Sequence, residues 1–212
     1  MRPERLIGRY PRLFHMAHDG SWPSIAEHGL LSTSALLDLF RVNGEERRVI
    51  ESEWRPESMA LTQDGLGQAV VRDQKPLRPN LLDRCLTDGM TPSRWYELLN
   101  RRVFFWLTED NLNVLLHARA YRDQTQTVLT IDTAAMLERH LAETELSSIN
   151  SGSILRGGAL RGPRTFSSIG DHPTSRVVEL AVLGAVPDIR DLVIQVESRH
   201  PDGSRDLLFS RG

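Results

Sequence analysis

One cysteine, Cys85, stands in 212 residues, and one lysine, Lys75, among 26 basic residues. A lone thiol excludes an internal disulfide framework and a cysteine-rich zinc site, and it suits a reducing compartment. No apolar run approaches the roughly 18 residues that a spanning helix needs. The opening Met1-Arg-Pro-Glu-Arg5 has no apolar stretch behind its charges, so no secretory signal and no membrane partner are expected, and a cytoplasmic location is. Net charge is only −2, which leaves out the global positive field common in nucleic-acid binders. Glycine-rich phosphate cradles are missing too. Gly65-Leu-Gly67 lacks a third glycine, Gly157-Gly158 is not followed by Lys-Ser/Thr, and no G-x-S-x-G elbow occurs.

What is present suits a single domain over residues 1–212. Hydrophobic residues make up 40% and charged residues 25%, ordinary proportions for a globular chain. The expected fold is a mixed α+β domain, with helices dominating the first half and strands gathered in the centre and the C-terminal third. Strands are expected at the run ending in His15, at Met59–Leu61, Gln68–Gln74, Arg102–Leu107, Thr127–Ile131, Arg176–Val182 and Leu192–Val196, with a hairpin-like tail around Asp202-Gly203. Helices are expected at Trp22–His28 (Ser21 as cap, Gly29 closing it), Ser34–Phe40, Gly44–Trp54 after Asn43, in two pieces between Leu81 and Leu99, and at Glu109–Tyr121 and Thr133–Leu141.

Few residues stand out chemically. His15 and His18 are three apart, but a strand turns such a pair to opposite faces, and no other histidine has ligand spacing, so no metal is expected. Glu179 lies in an otherwise apolar run. It must be paired, shifted in pKa or exposed at a cleft, or else it marks the polar face of an edge strand. Ser147–Gly170 contains no acidic residue but holds Arg156, Arg161 and Arg164; a substrate-facing loop and an ordinary surface loop both fit. Arg72 ends a strand beside Asp73 and Gln74, with Arg47 and Arg48 as rivals for any role it has. Val103-Phe-Phe-Trp106 suits an aromatic wall or plain core.

Three islands together resemble a known family. His15-Met-Ala-His18 followed by Ile25…Gly29-Leu-Leu31, the aromatic strand with the helix toward Tyr121, and Glu179-Leu-Ala-Val182…Val186-Pro187 resemble the ADP-ribosyltransferase fold, in particular its DarT-like, DNA-modifying branch. The sequence departs from that pattern where Phe replaces a usual tyrosine in the aromatic strand and where the spacing to Tyr121 is long. The resemblance implies a split, mainly antiparallel sheet core with flanking helices and a helical insertion at about 34–100, and NAD as co-substrate, without a metal. It implies that Glu179, Arg72 and His15 are catalytic, and that His15, Met16, Ala17, Ser32, Trp106 and Tyr121 bind NAD. A substrate loop at about 147–175 would carry Asn150, Ser151, Arg156, Arg161 and Arg164 against nucleic acid, DNA before RNA. The implied activity is transfer of ADP-ribose to a nucleobase, as in a toxin–antitoxin or phage-defence system with an antitoxin or ADP-ribosyl hydrolase as partner. Transfer to a protein side chain and a catalytically inert nucleotide-binding module are the alternatives.

Overall fold

A computed structural model describes residues 1–154, 158–173 and 176–212. Its first third runs α1 (Pro3–Arg9), β1 (Arg12–His18), α2 (Trp22–His28), β2 (Leu30–Leu31), α3 (Thr33–Leu39) and α4 (Gly44–Ser52). A hairpin, β3 (Met59–Gln63) and β4 (Gly67–Val71), leads to α5 (Pro79–Leu82), a 3₁₀ turn at Asp83–Cys85, α6 (Pro92–Asn100), β5 (Arg102–Trp106) and α7 (Glu109–Leu116). Then come β6 (Gln126–Asp132), α8 (Thr133–His140), β7 (Thr144–Ser147), β8 (Ser167–Ser168) and β9 (Glu179–Leu183). The chain finishes with β10 (Ala185–Val186), α9 (Ile189–Leu192), β11 (Val193–Arg199) and β12 (Arg205–Ser210).

The expected α+β class holds. Eight strands form one sheet in the order β12-β11-β6-β1-β5-β9-β7-β8, and every neighbouring pair in it is antiparallel. One face carries Leu13, Val103, Phe105, Leu129, Leu180 and Val182, all buried against α1, α2, α8 and α9. The opposite face meets α6 through Phe104 and Ala181 and α7 through Phe14, Trp106 and Val128. A satellite cluster of Leu37, Phe40, Ile50, Leu61 and Val71 joins α3 and α4 to the β3–β4 hairpin. Among the described residues, no helix is long and apolar enough to cross a membrane.

Local chemistry explains most boundaries. Thr91 and Thr108 accept the N–H groups of Arg94 and Asn111 as caps of α6 and α7. Helix α8 opens at Thr133 as expected, and Asp132 caps it by accepting from Ala134 and Ala135. The hydroxyl of Ser21 makes no cap bond, and the Asn43 side chain donates to the Arg41 carbonyl instead of capping α4. Helix α7 stops at Leu116, short of Tyr121, and β9 begins at Glu179 rather than Arg176.

Gly29 is irreplaceable for a geometric reason. Its φ of +87° with ψ of 169° lies in a region essentially restricted to glycine. A Cβ there would stand 2.6 Å from the Pro187 Cα, against the turn after β10, which pairs with β2. Gly29→Ala is expected to destabilise the fold by about 2–3 kcal/mol, measured as a lower urea midpoint, through backbone strain plus that clash.

Candidate functional site

Strand β1 pairs with β6 over seven registered residues but meets β5 at a single rung, Phe14 opposite Trp106. Beyond that rung the two strands part. In the gap His15 Nδ1 lies 2.9 Å from the Phe104 carbonyl oxygen. A carbonyl only accepts, so Nδ1 carries the proton and Nε2 keeps its lone pair. Burial pulls the imidazole down to about 4; the bond to Phe104 opposes this, and the Arg72 charge adds to it. The ring is therefore neutral near pH 7, a hydrogen-bond acceptor toward a ligand hydroxyl.

A hollow of about 220 Å³ opens at this split. His15, Met16, Ala17 and His18 form one wall and Arg102–Phe104 the other; α2, β2, the start of α3 and β4 complete the lining. Ser32 and Arg72 also line it. Ser32 accepts the Ala35 N–H as the cap of α3, which leaves its own O–H free to donate. Five of the residues expected at the site, His15, Met16, Ala17, Ser32 and Arg72, thus share one hollow.

Arg72 is held from three sides. Its Nη1 donates to Gln126 Oε1 at 2.7 Å, and its guanidinium lies 4.9 Å from the centre of the Tyr121 ring. Its backbone carbonyl accepts from Nε of the buried Arg55. Burial pulls Arg55 down to about 10, and it also holds the Asn100 side chain and the Ile50 carbonyl. The rivals are engaged elsewhere: Arg47 pairs with Asp38 and Glu51, and Arg48 with Glu45 and Glu53.

Glu179 stands apart from this hollow. It lies opposite Trp106, which lies opposite Phe14, so these three share a face while His15, one residue on, points to the other. The His15 ring accordingly meets Phe105, at 5.7 Å between centres. Two inter-strand steps, about 10 Å, separate the Glu179 strand from β1. Glu179 does not line the hollow and is 5% exposed. Its Oε2 accepts the Ser151 N–H at 2.9 Å. Burial pushes its carboxyl up to about 7, while bonds from the Ser151 hydroxyl and N–H and the charge of Arg161 pull it back.

The loop after β7 differs from the expected nucleic-acid surface. Arg161 is 1% exposed, so it cannot reach a phosphate backbone. Its Nη2 donates to the Asn150 and Ser153 carbonyls, and its guanidinium lies 5.9 Å from the Trp95 ring centre. Nε and Nη1 have no hydrogen-bond partner among the described residues, and burial lowers the pKa of the group. Ser151, at 1% exposed, meets Glu179 rather than solvent. Arg164 is exposed, and Arg156 lies outside the described residues. Neither Trp106 nor Tyr121 lines the hollow: Trp106 packs against α7, and Tyr121 lies against Arg72 with its O–H on Asp73 Oδ1 at 3.0 Å. Sequence reasoning missed Arg55 and Gln126. Neither carries a motif, and only the fold brings them to Arg72.

The sequence model of one family, described as a family of unknown function (DUF7002), matches residues 11–193. The chain belongs to that family. The matched span holds every strand that builds the hollow and the whole of β9. No curated protein matches the chain.

The two perturbed groups carry opposite pH signatures. The folded state holds the Glu179 proton more tightly than the unfolded chain does, so its stabilising share is full below about 4.5 and is lost as pH rises through about 7. His15 is the reverse: its share is full above 6.5 and is lost as pH falls through about 4. Glu179→Gln should therefore gain on the wild type as pH rises across the first window. The advantage of wild type over His15→Gln should shrink as pH falls across the second. Urea midpoints taken along a pH series read both.

Proposed function

We propose that this protein is an NAD-dependent ADP-ribosyltransferase, with a nucleobase as the acceptor class that the sequence resemblance implies. The observation that carries the reading is the hollow at the parting of β1 and β5, where His15 presents an accepting Nε2 beside the Met16–Ala17 backbone, with Arg72 in the same lining. That set suits a ribose diol, a carboxamide and a phosphate in turn. Glu179 is the group to stabilise positive charge as the nicotinamide–ribose bond breaks. A pKa of about 7 leaves a substantial share of it ionised at neutral pH.

Catalysis on this scheme needs the ligand to reach Glu179, which stands outside the hollow on the face opposite His15, and needs the Ser151 segment that covers it to move. The same fact favours a second reading, a catalytically inert nucleotide-binding module, in which Glu179 only anchors the loop through Ser151. The acceptor follows from the resemblance more than from the surface, since Arg161 is buried and Arg164 is the one loop arginine exposed among the described residues.

Incubation with NAD and DNA, RNA or protein, followed by mass spectrometry for an added ADP-ribose, separates these readings. Transfer by the wild type, with a loss of about 10²–10³ in rate for Glu179→Gln and retained NAD binding, is the expected outcome. NAD binding without nicotinamide release would instead establish the inert module.

A further inference from the structure

Away from the hollow, the single thiol of the chain meets buried donors that the proposed function leaves unused. Cys85 ends the 3₁₀ turn Asp83–Cys85. Its carbonyl accepts the Arg161 N–H at 2.9 Å, and the Arg161 carbonyl accepts the Thr87 N–H at 3.0 Å. This parallel bridge, with Leu86 beside Arg161, ties the two segments together. The Arg161 charge acts on the Cys85 sulfur as well as on Glu179. Yet Nε and Nη1 of this guanidinium have no hydrogen-bond partner among the described residues. Nε1 of Trp95 has none either, and the centre of that ring lies 5.9 Å from the guanidinium. All three groups are donors. Donors shut away from water without an acceptor are costly, so this part of the core is short of an oxygen.

We propose that Cys85 is a site of reversible oxidation by hydrogen peroxide, and that the oxygen gained by the sulfur is held by the unused Arg161 donors. The sulfur attacks one peroxide oxygen. An S–O bond forms, the O–O bond breaks, and the departing hydroxide takes the thiol proton and leaves as water. Sulfur loses two electrons, peroxide gains two, and the product is a sulfenic acid. The proposal stands whether or not Glu179 is catalytic.

The surroundings of the sulfur suit this chemistry. Reactive cysteines sit beside positive charge, and Arg161 supplies it. The S–H donates to the Leu81 carbonyl at 3.6 Å, which leaves the sulfur lone pairs to meet the oxidant. Cys85 is 9% exposed, and Gly158 crowds it: a Cβ at that glycine would stand 2.6 Å from Sγ. Such a sulfur is open to a reagent close to water in size and closed to a bulky disulfide.

Arg161 also carries the consequence. Its Nη2 holds the Asn150 and Ser153 carbonyls on either side of Ser151, whose N–H is bonded to Glu179. An oxygen on Sγ that satisfies Nε and Nη1 fixes the guanidinium, and with it the segment over Glu179. Oxidation therefore tightens this cover, whereas an oxygen placed in an ordinary apolar core loosens its surroundings.

Peroxide titration of the folded protein, read by peptide mass spectrometry, tests the site. Cys85 should gain one oxygen and lose it again to dithiothreitol, while glutathione disulfide should leave it untouched until urea unfolds the chain. The oxidised wild type should keep its thermal midpoint and exchange the Ser151 amide hydrogen more slowly than the reduced protein. Arg161→Met should oxidise at least about tenfold more slowly, as expected for loss of a charged hydrogen bond, and should lose thermal stability when it does. Should that variant fail to fold, Cys85→Asp decides: its carboxylate meets the same donors, so Ser151 should exchange more slowly in it than in Cys85→Ser. A thiol that stays reduced until the chain unfolds would overturn the proposal. So would a lower thermal midpoint with faster Ser151 exchange on oxidation of the wild type, or a Cys85→Asp variant no better protected at Ser151 than Cys85→Ser.

Discussion

The molecule depends on a sheet that is allowed to come apart in its middle. An interior strand normally pairs along both edges, because each unpaired N–H or C=O shut away from water costs free energy. Strand β1 pairs along one edge for its whole length and along the other at one rung only. The imidazole of His15 makes the parting tolerable, since its Nδ1–H serves the Phe104 carbonyl that a neighbouring strand would otherwise serve. Apolar strands on one face, held by α1, α2, α8 and α9, keep the sheet whole across the gap. The hollow is thus built by the packing of its surroundings, and the histidine is both its wall and its fastening.

Much of this fold is written in the sequence, because the signals are local. Thr91 and Thr108 stand where caps are needed, and the dense β-formers of Arg102–Trp106 leave no competing helix. Helix Trp22–His28 and its closing glycine follow in the same way. Errors fall where tertiary contacts override local preference. The Ala118–Tyr121 stretch has helical composition but turns away, so that Tyr121 can reach Arg72 and Asp73. Short α9 carries too few residues for a periodic pattern.

The candidate site is legible only in part, for a related reason. His15 in β1, Ser32 just after β2 and Arg72 just after β4 come from separate parts of the chain, and a motif can suggest their types but not their convergence. The acid-free loop shows the opposite failure. Absence of acidic residues near Arg161 in the chain suggests an arginine open to an anion, yet the carboxylate charge that acts on it, Glu179, comes from β9. An arginine without a local partner can be a core residue whose counter-charge arrives from far along the chain.

That arrangement sets the terms on which Glu179 can act. The Ser151 N–H and Arg161 both lower its pKa, while burial raises it, and the balance falls at about 7. Moving the Ser151 segment aside would remove one stabilising bond and admit water at the same time, two changes of opposite sign for the carboxylate. A ligand hydroxyl arriving in place of the Ser151 N–H would restore the lost hydrogen bond, so the ionised form survives the exchange. Strand pairing fixes where Glu179 stands, through Trp106 on one side and Ser147 on the other, and so the movable part is the loop and not the acid. Access to this carboxylate is therefore set by how readily a few hydrogen bonds around Ser151 and Arg161 are exchanged, while its separation from the hollow is set by the sheet.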